Sequence, residues 1–181
     1  MPKLYTIGHS THTLQEFIAI LKAHHINLVV DVRTIPKSRH VPWFNKTPLK
    51  SALQRKGIRY IHMIELGGLR KTEKNSINQG WRNASFQGYA DYMQTPAFFA
   101  AFKKLNATLN PAQNVAMLCA EAFPWRCHRS LIADAEVIRG IKVFHIMNIN
   151  TLHAHQLTKF AVVNRKKRPL QLYYPHEKGS S

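Results

Sequence analysis

The run INLVVDVRT, residues 26–34, constrains the fold more than any other stretch of this chain. Its centre offers no polar side chain to water, and a strand that is apolar on both faces belongs inside a parallel sheet. Elements alternate on either side of it. KLYTIG (3–8) reads as a first strand ending at Gly8. THTLQEFIAILKAHH reads as a helix, with Thr13 and Glu16 spaced as a capping box and Leu14, Phe17, Ile18 and Leu21 on one face. Thr47-Pro48 predicts a helix start and Gly57 its end, followed by a third strand, IRYIHM (58–63). Residues 64–85 read as a loop of the length usually reserved for functional or mobile segments. Phe86 to Met93 forms a short amphipathic piece, and Thr95-Pro96 opens a helix running to about Leu109. NVAMLCAE (114–121) is a strand, HRSLIADAEVIRG (128–140) a helix closed by Gly140, and KVFHIM (142–147) a fifth strand. Strand and helix in alternation predict an α/β fold: a single domain with a mostly parallel sheet and helices on both faces, a Rossmann-like three-layer arrangement. We place that domain at residues 1–150, with a C-terminal extension over 151–181 that carries the basic run NRKKRP (164–169).

Charge bears on partners. Lysines and arginines number 26 against 9 aspartates and glutamates, a formal net charge of +17, which makes a polyanion such as nucleic acid or a nucleotide the expected partner. A uniformly solvated basic surface is the plainer alternative. No apolar run approaches a membrane span, and MPKLYTIGHS turns polar too early for a signal peptide, so the expected location is cytoplasmic. In that compartment two cysteines are expected as thiols, ligands or a transient redox pair.

In open α/β sheets ligands bind beyond the carboxyl ends of the strands. Three strand ends in this sequence carry reactive or ionisable groups: His9 and Ser10 after the first, Asp31 and Arg33 at the second, Cys119 and Glu121 at the fourth. Each has a plain reading too. His9 and Ser10 suit a turn, Asp31 and Arg33 suit a structural ion pair, and Trp43 and Phe44 suit a loop anchor. The stretch LCAEAFPWRCHRS (118–130) is denser, holding both cysteines, Glu121, His128 and two arginines. Cys127, His128 and Arg129 start a helix, where free amides and the helix dipole favour a thiolate or a bound anion. Arg126 and Arg129 act in the same direction, which makes Cys127 the thiol expected to ionise more readily. Three chemistries fit: Cys127 as nucleophile or redox thiol with Cys119 as its partner; zinc or iron held by Cys119, Cys127 and His128, with His9 or solvent completing the shell; or an anion cradle of amides and arginines. The spacing matches no standard zinc signature.

YTIGHST, DVRTIPKSR, the Gly67-Gly68 pair, FQGYADYM (86–93), CAEAFPWRCHRSLIAD (119–134) and a trailing LQLYYP together resemble the bacterial and archaeal family called domain of unknown function 488. The resemblance runs in order over about residues 3–147. It implies a compact α/β domain with a Cys…Cys-His-Arg loop beside a His-Ser turn and an Asp-Val-Arg strand end. The matched positions are His9, Ser10, Asp31, Arg33, Cys119, Glu121, Cys127, His128 and Arg129. No activity comes with it.

Two functional classes stand against each other. In an enzyme acting on a phosphate-containing or nucleic-acid substrate, His9, Ser10, Arg33 and Arg129 hold the anion, Asp31 or Glu121 serves as acid or base, and Cys127 or His128 is the reactive group. In a nucleic-acid-binding module without catalysis, the cations between Arg39 and Lys74 and the 165–168 run contact phosphates, and Trp43, Trp81 or Trp125 stacks on bases. No helix-turn-helix, zinc-finger or RNA-recognition signature accompanies them. Thiol redox or metal binding forms a third class.

Overall fold

A computed structural model describes residues 2–177. Six strands form one sheet in the order β3-β2-β4-β1-β5-β6. They are β1 (Lys3–Gly8), β2 (Leu28–Asp31), β3 (Arg59–His62), β4 (Val115–Cys119), β5 (Lys142–Asn148) and β6 (Thr151–Ala154). The first five are parallel to their neighbours, and only β6 runs antiparallel, on the edge beside β5. Helices α1 (Leu14–Ala23) and α2 (Lys46–Arg55) cover one face. Phe17, Leu21, Leu49 and Leu53 meet Tyr5, Ile7, Val29 and Leu118 there. The other face carries α3 (Ala84–Tyr92), α4 (Pro96–Ala107) and α5 (Arg129–Val137). Tyr89, Phe98, Phe102 and Leu131 pack on Leu4, Val30, Val115 and Met117. The chain is therefore a three-layer α/β domain, as the alternating pattern predicted. Residues 28–31 are buried without exception, which for Leu28, Val29 and Val30 is the physical meaning of their unbroken hydrophobicity.

Local rules account for most element ends. The Thr13–Glu16 capping box forms as expected, and Thr95 caps α4 with Pro96 in its first turn. One start differs. α2 begins at Lys46, with Asn45 in the cap position instead of Thr47. The Asn45 side-chain oxygen does not bond the helix; it accepts from the Ser38 amide and ties down the proline-rich loop. The long 64–85 segment is also tied down. The buried carboxylate of Asp91 accepts from the Glu73 amide, the Ser76 hydroxyl and the Asn78 side chain.

The segment beyond residue 150 is built into the same body. β6 completes the sheet, β7 (Val162–Asn164) and β8 (Gln171–Tyr173) form a hairpin, and Leu172 and Tyr174 enter the core. The basic residues 165–168 sit exposed on the hairpin's connecting turn, and residues 178–181 of the expected tail lie outside the described residues. This strap explains why α5 is buried from Arg129 to Glu136. Asp134 accepts from the Tyr174 hydroxyl, the Thr158 amide and His155.

Glu136 is the exception among these buried charges. It is fully buried, receives the Asn106 amide on one oxygen and leaves the other without a partner. Burial raises its carboxyl from 4.5 to about 8, against the opposing pull of Arg139 and the Asn106 hydrogen bond. In the unfolded chain the group ionises near its ordinary value. The folded state is therefore favoured fully below about pH 4.5 and loses stability progressively up to pH 8. Glu136→Gln removes that titration. It is expected to stabilise the protein by roughly 4 kcal/mol at pH 8 and by under about 1 kcal/mol at pH 5. Urea denaturation at the two pH values checks this, and an equal effect at both would refute it.

Candidate functional site: a dithiol and imidazole pocket at the carboxyl edge of the sheet

Because β4 lies between β2 and β1, the three polar strand ends are neighbours. The chain leaves β1 for α1 on one face of the sheet and leaves β4 for α5 on the other, so the two connections part to opposite faces at adjacent strand ends. Beyond the last ladder pair the two ends stay zipped: the His9 amide bonds the Cys119 carbonyl and the Ser10 amide bonds Ala120, each at 2.9 Å. Ser10 has φ 47°, the left-handed region, which turns the chain sharply away. Gly8 makes the approach possible, since a β-carbon there would meet the Glu121 carbonyl oxygen at 1.8 Å.

The expected residues separate into two groups. Asp31, Arg33, His9 and Tyr60 form a closed internal network. Asp31 is fully buried and accepts from the Arg33 amide and guanidinium at 2.7–3.1 Å and from the Tyr60 hydroxyl. Arg33 spends its remaining donors on the Phe44 carbonyl and on His9 Nε2. His9 Nδ1 bonds the Ser10 carbonyl, its ring stacks on Phe44 at 4.4 Å, and burial lowers its pKa to about 4, so it is neutral near pH 7. Asp31 as an acid or base and His9 as an anion grip are accordingly corrected: these polar groups satisfy one another inside the fold, while Arg33, held in the same network, also lines a hollow beside Cys119 and His128. Arg129 is corrected on the same ground. Only 1% exposed, it donates to the carbonyls of Glu121 and Ala122 and to the Thr6 hydroxyl, fixing the 119–122 segment from behind.

The second group does line a pocket. Cys119, Glu121, Arg126, Cys127 and His128 surround a hollow of about 380 Å³. A neighbouring hollow of about 270 Å³ shares Cys119, His128, Gly68 and Leu69 with it. The Cys119 and Cys127 sulfurs and a nitrogen of His128 lie within 4.8 Å of one another. His128 Nε2 is 3.0 Å from the Val32 carbonyl, which fixes the proton on that nitrogen and turns Nδ1 toward Cys127 Sγ, 3.7 Å away. The α5 amide of Arg129 points at the same sulfur at 3.5 Å.

Burial pushes the Cys127 thiol up, but the Cys119 hydrogen bond and the Arg129 charge and amide outweigh it and bring it down to about 6. Cys119, the donor of that bond and itself buried, is pushed up to about 12. The arrangement therefore favours ionisation of Cys127 over Cys119. Its donor set would suit a thiophilic metal, and the lock of His128 on a backbone carbonyl is the support that metal-bound histidines commonly have.

Sequence reasoning missed the wall opposite the thiols. The Gly67-Gly68 pair belongs to it: a β-carbon on Gly68 would come within 3.2 Å of His128 Nδ1. Thr34 donates to the Gly68 carbonyl and Tyr89 to Leu66, holding the loop against the site. Exposed Leu69 (φ 58°) stands at the mouth. The glycine pair was the available signal. The Thr34 and Tyr89 contacts left none.

Fold and site together define a three-layer α/β domain with a dithiol and imidazole pocket at the carboxyl edge of its sheet. The chain belongs to the family described as Domain of unknown function DUF488, whose profile matches residues 13–136. That span includes Asp31, Arg33, Cys119, Glu121, Cys127, His128 and Arg129 and begins just after His9 and Ser10. No curated protein and no solved structure matches the chain.

Proposed function

We propose that this protein is an enzyme in which Cys127 acts as a nucleophile on an anionic, phosphate-bearing substrate. The observation that carries the reading is the convergence of two sulfurs and an imidazole in one pocket at the strand ends. Core packing supplies no reason for that convergence. The Cys127 sulfur bonds an electrophilic centre of the substrate, and the bond to the leaving group breaks with its electron pair. The leaving group takes its proton from the protonated carboxyl group of Glu121, in the pocket wall, which becomes the carboxylate. Water then attacks the thio-adduct, gives its proton back to Glu121 and releases the Cys127 thiolate. The anionic substrate follows from charge. Among the described residues only Arg33 and Lys104, of all lysines and arginines, lie within 4.0 Å of a carboxylate. Most of the positive surface is thus available to polyanions. Free thiols fit a reducing, cytoplasmic setting, and no helix among the described residues is long and apolar enough to cross a membrane.

A metal centre on Cys119, Cys127 and His128 is the second reading, favoured by the Val32 support of His128.

Alkylation followed by mass spectrometry, across pH and with or without a chelator, separates the two. Cys127 is expected to be half as reactive as its plateau near pH 6, with Cys119 inert across the neutral range. Protection of both thiols that a chelator relieves would establish the metal centre instead. An ordinary thiol profile at Cys127 would overturn the nucleophile and leave a polyanion-binding module without catalysis.

A further inference from the structure

A second cavity lies across the Pro124–Arg126 turn from the thiols. Of about 390 Å³, it is lined by Trp81, Trp125, Ser130 and Thr158, and by His145, His153, His155 and Gln156 from the β5–β6 edge. The turn is a ridge between two hollows: Trp125 faces this one, and Arg126 lines the thiol pocket.

The back wall is rigid, and its proton positions follow from one acceptor. The Asp134 carboxylate can only accept, and it accepts from His155 Nε2–H at 2.7 Å. His155 Nδ1 then accepts from His145 Nε2–H at 2.8 Å, and His145 Nδ1 accepts from the Thr6 hydroxyl at 2.7 Å, whose oxygen accepts from Arg129 Nε. All four ring nitrogens are engaged, so His145 and His155 serve as fixed walls. The front is different. Trp125 is 59% exposed and stacked on Phe123, itself 41% exposed, at 4.9 Å and 24°. Trp125, exposed in the cavity lining with Phe123 stacked against it, offers an aromatic surface at the mouth. His153 and Gln156 are exposed at the opposite rim, and a glutamine amide presents a donor beside an acceptor. No lysine, arginine, aspartate or glutamate lines this cavity. Its ligand is therefore a neutral, planar group with a hydrogen-bonding edge, carried by a molecule whose charge sits on the far side of the ridge.

We infer that this cavity binds a nucleobase, which stacks on Trp125 and meets Gln156 and His153 with its edge, while the attached phosphate lies over Arg126 toward the thiol pocket. The inference rests on the anionic-substrate reading and names the class of that substrate: a nucleotide unit, free or within a single strand. A duplex is excluded from it, because a paired base has no free face to stack.

The test is fluorescence anisotropy with a labelled oligoadenylate and an abasic oligomer of the same length. Adenosine monophosphate and unlabelled oligoadenylate serve as competitors. The protein is expected to prefer the base-bearing oligomer, and Trp125→Ala to weaken that binding about tenfold while leaving the abasic oligomer unaffected. Gln156→Ala, at an exposed position where folding is not at stake, is expected to reduce the same preference. Displacement by the mononucleotide identifies a free nucleotide as the source, and displacement by the oligomer alone identifies a strand. Equal binding of the two oligomers, equal losses on both, or no binding of either would overturn the inference. Alkylation of the wild-type protein keeps the two readings apart: base-dependent binding together with an ordinary Cys127 thiol would sink the nucleophile and leave the base site standing.

Discussion

Asp31→Asn is expected to destabilise the fold by about 3–5 kcal/mol, because it strands the Arg33 charge in the interior. The asparagine has nearly the same shape, so packing is not the cause. It replaces a carboxylate that accepts three bonds from Arg33 and one from Tyr60 with an amide that offers a single acceptor oxygen. Arg33 is itself only 6% exposed. Urea denaturation checks the loss. The double variant Asp31→Leu with Arg33→Met, which removes both charges together, is expected to recover much of it. A loss below about 1 kcal/mol in the single variant would mean that water reaches the pair.

The second large effect is steric. In Gly8→Ala the new β-carbon would sit 1.8 Å from the Glu121 carbonyl oxygen and 2.6 Å from its carbon. The obstacle is backbone, held from behind by Arg129, so no side chain can swing aside. The 119–122 segment must shift, at a cost above the roughly 1–3 kcal/mol of ordinary overpacking. That shift draws Cys119 away from Cys127. Two readings are expected together: a markedly lower melting temperature, and a Cys127 alkylation profile moved toward that of an ordinary thiol. Gly57→Ala serves as a control. Its φ is +75° with no atom near the added carbon, so it carries only the modest strain of the left-handed backbone and leaves Cys127 unchanged. Near-native stability in Gly8→Ala would show that β1 and the 119–122 segment do not lean on each other.

The layer architecture was legible because hydrophobic patterning is local: residues 28–30 have no polar face, and Thr13 with Glu16 announces its own helix. The cap of α2 was not, because Asn45 spends its side chain on Ser38, seven residues away. At the site, the 118–130 loop identified itself by composition, and Cys127 is the thiol with the lowered pKa, as expected. The role of Arg129 was misread for a simple reason. An arginine that satisfies backbone carbonyls or a neighbouring carboxylate looks, in sequence, the same as one that waits for phosphate. The His145–His155–Asp134 chain was illegible, since it joins residues from a strand, a loop and a helix through contacts that no spacing encodes.

The strand order also decides when this protein can fold during synthesis. β2 finds β3 early, but β1 has no partner until β4 emerges more than a hundred residues later, and β5 follows later still. Until then the growing chain carries an unpaired edge on β1 and an uncovered apolar run on β2. Contacts of such long sequence separation close slowly, and exposed edges invite association. The same insertion of β4 that makes three strand ends neighbours thus leaves the nascent N-terminal half dependent on whatever shields it until residue 119 has left the ribosome.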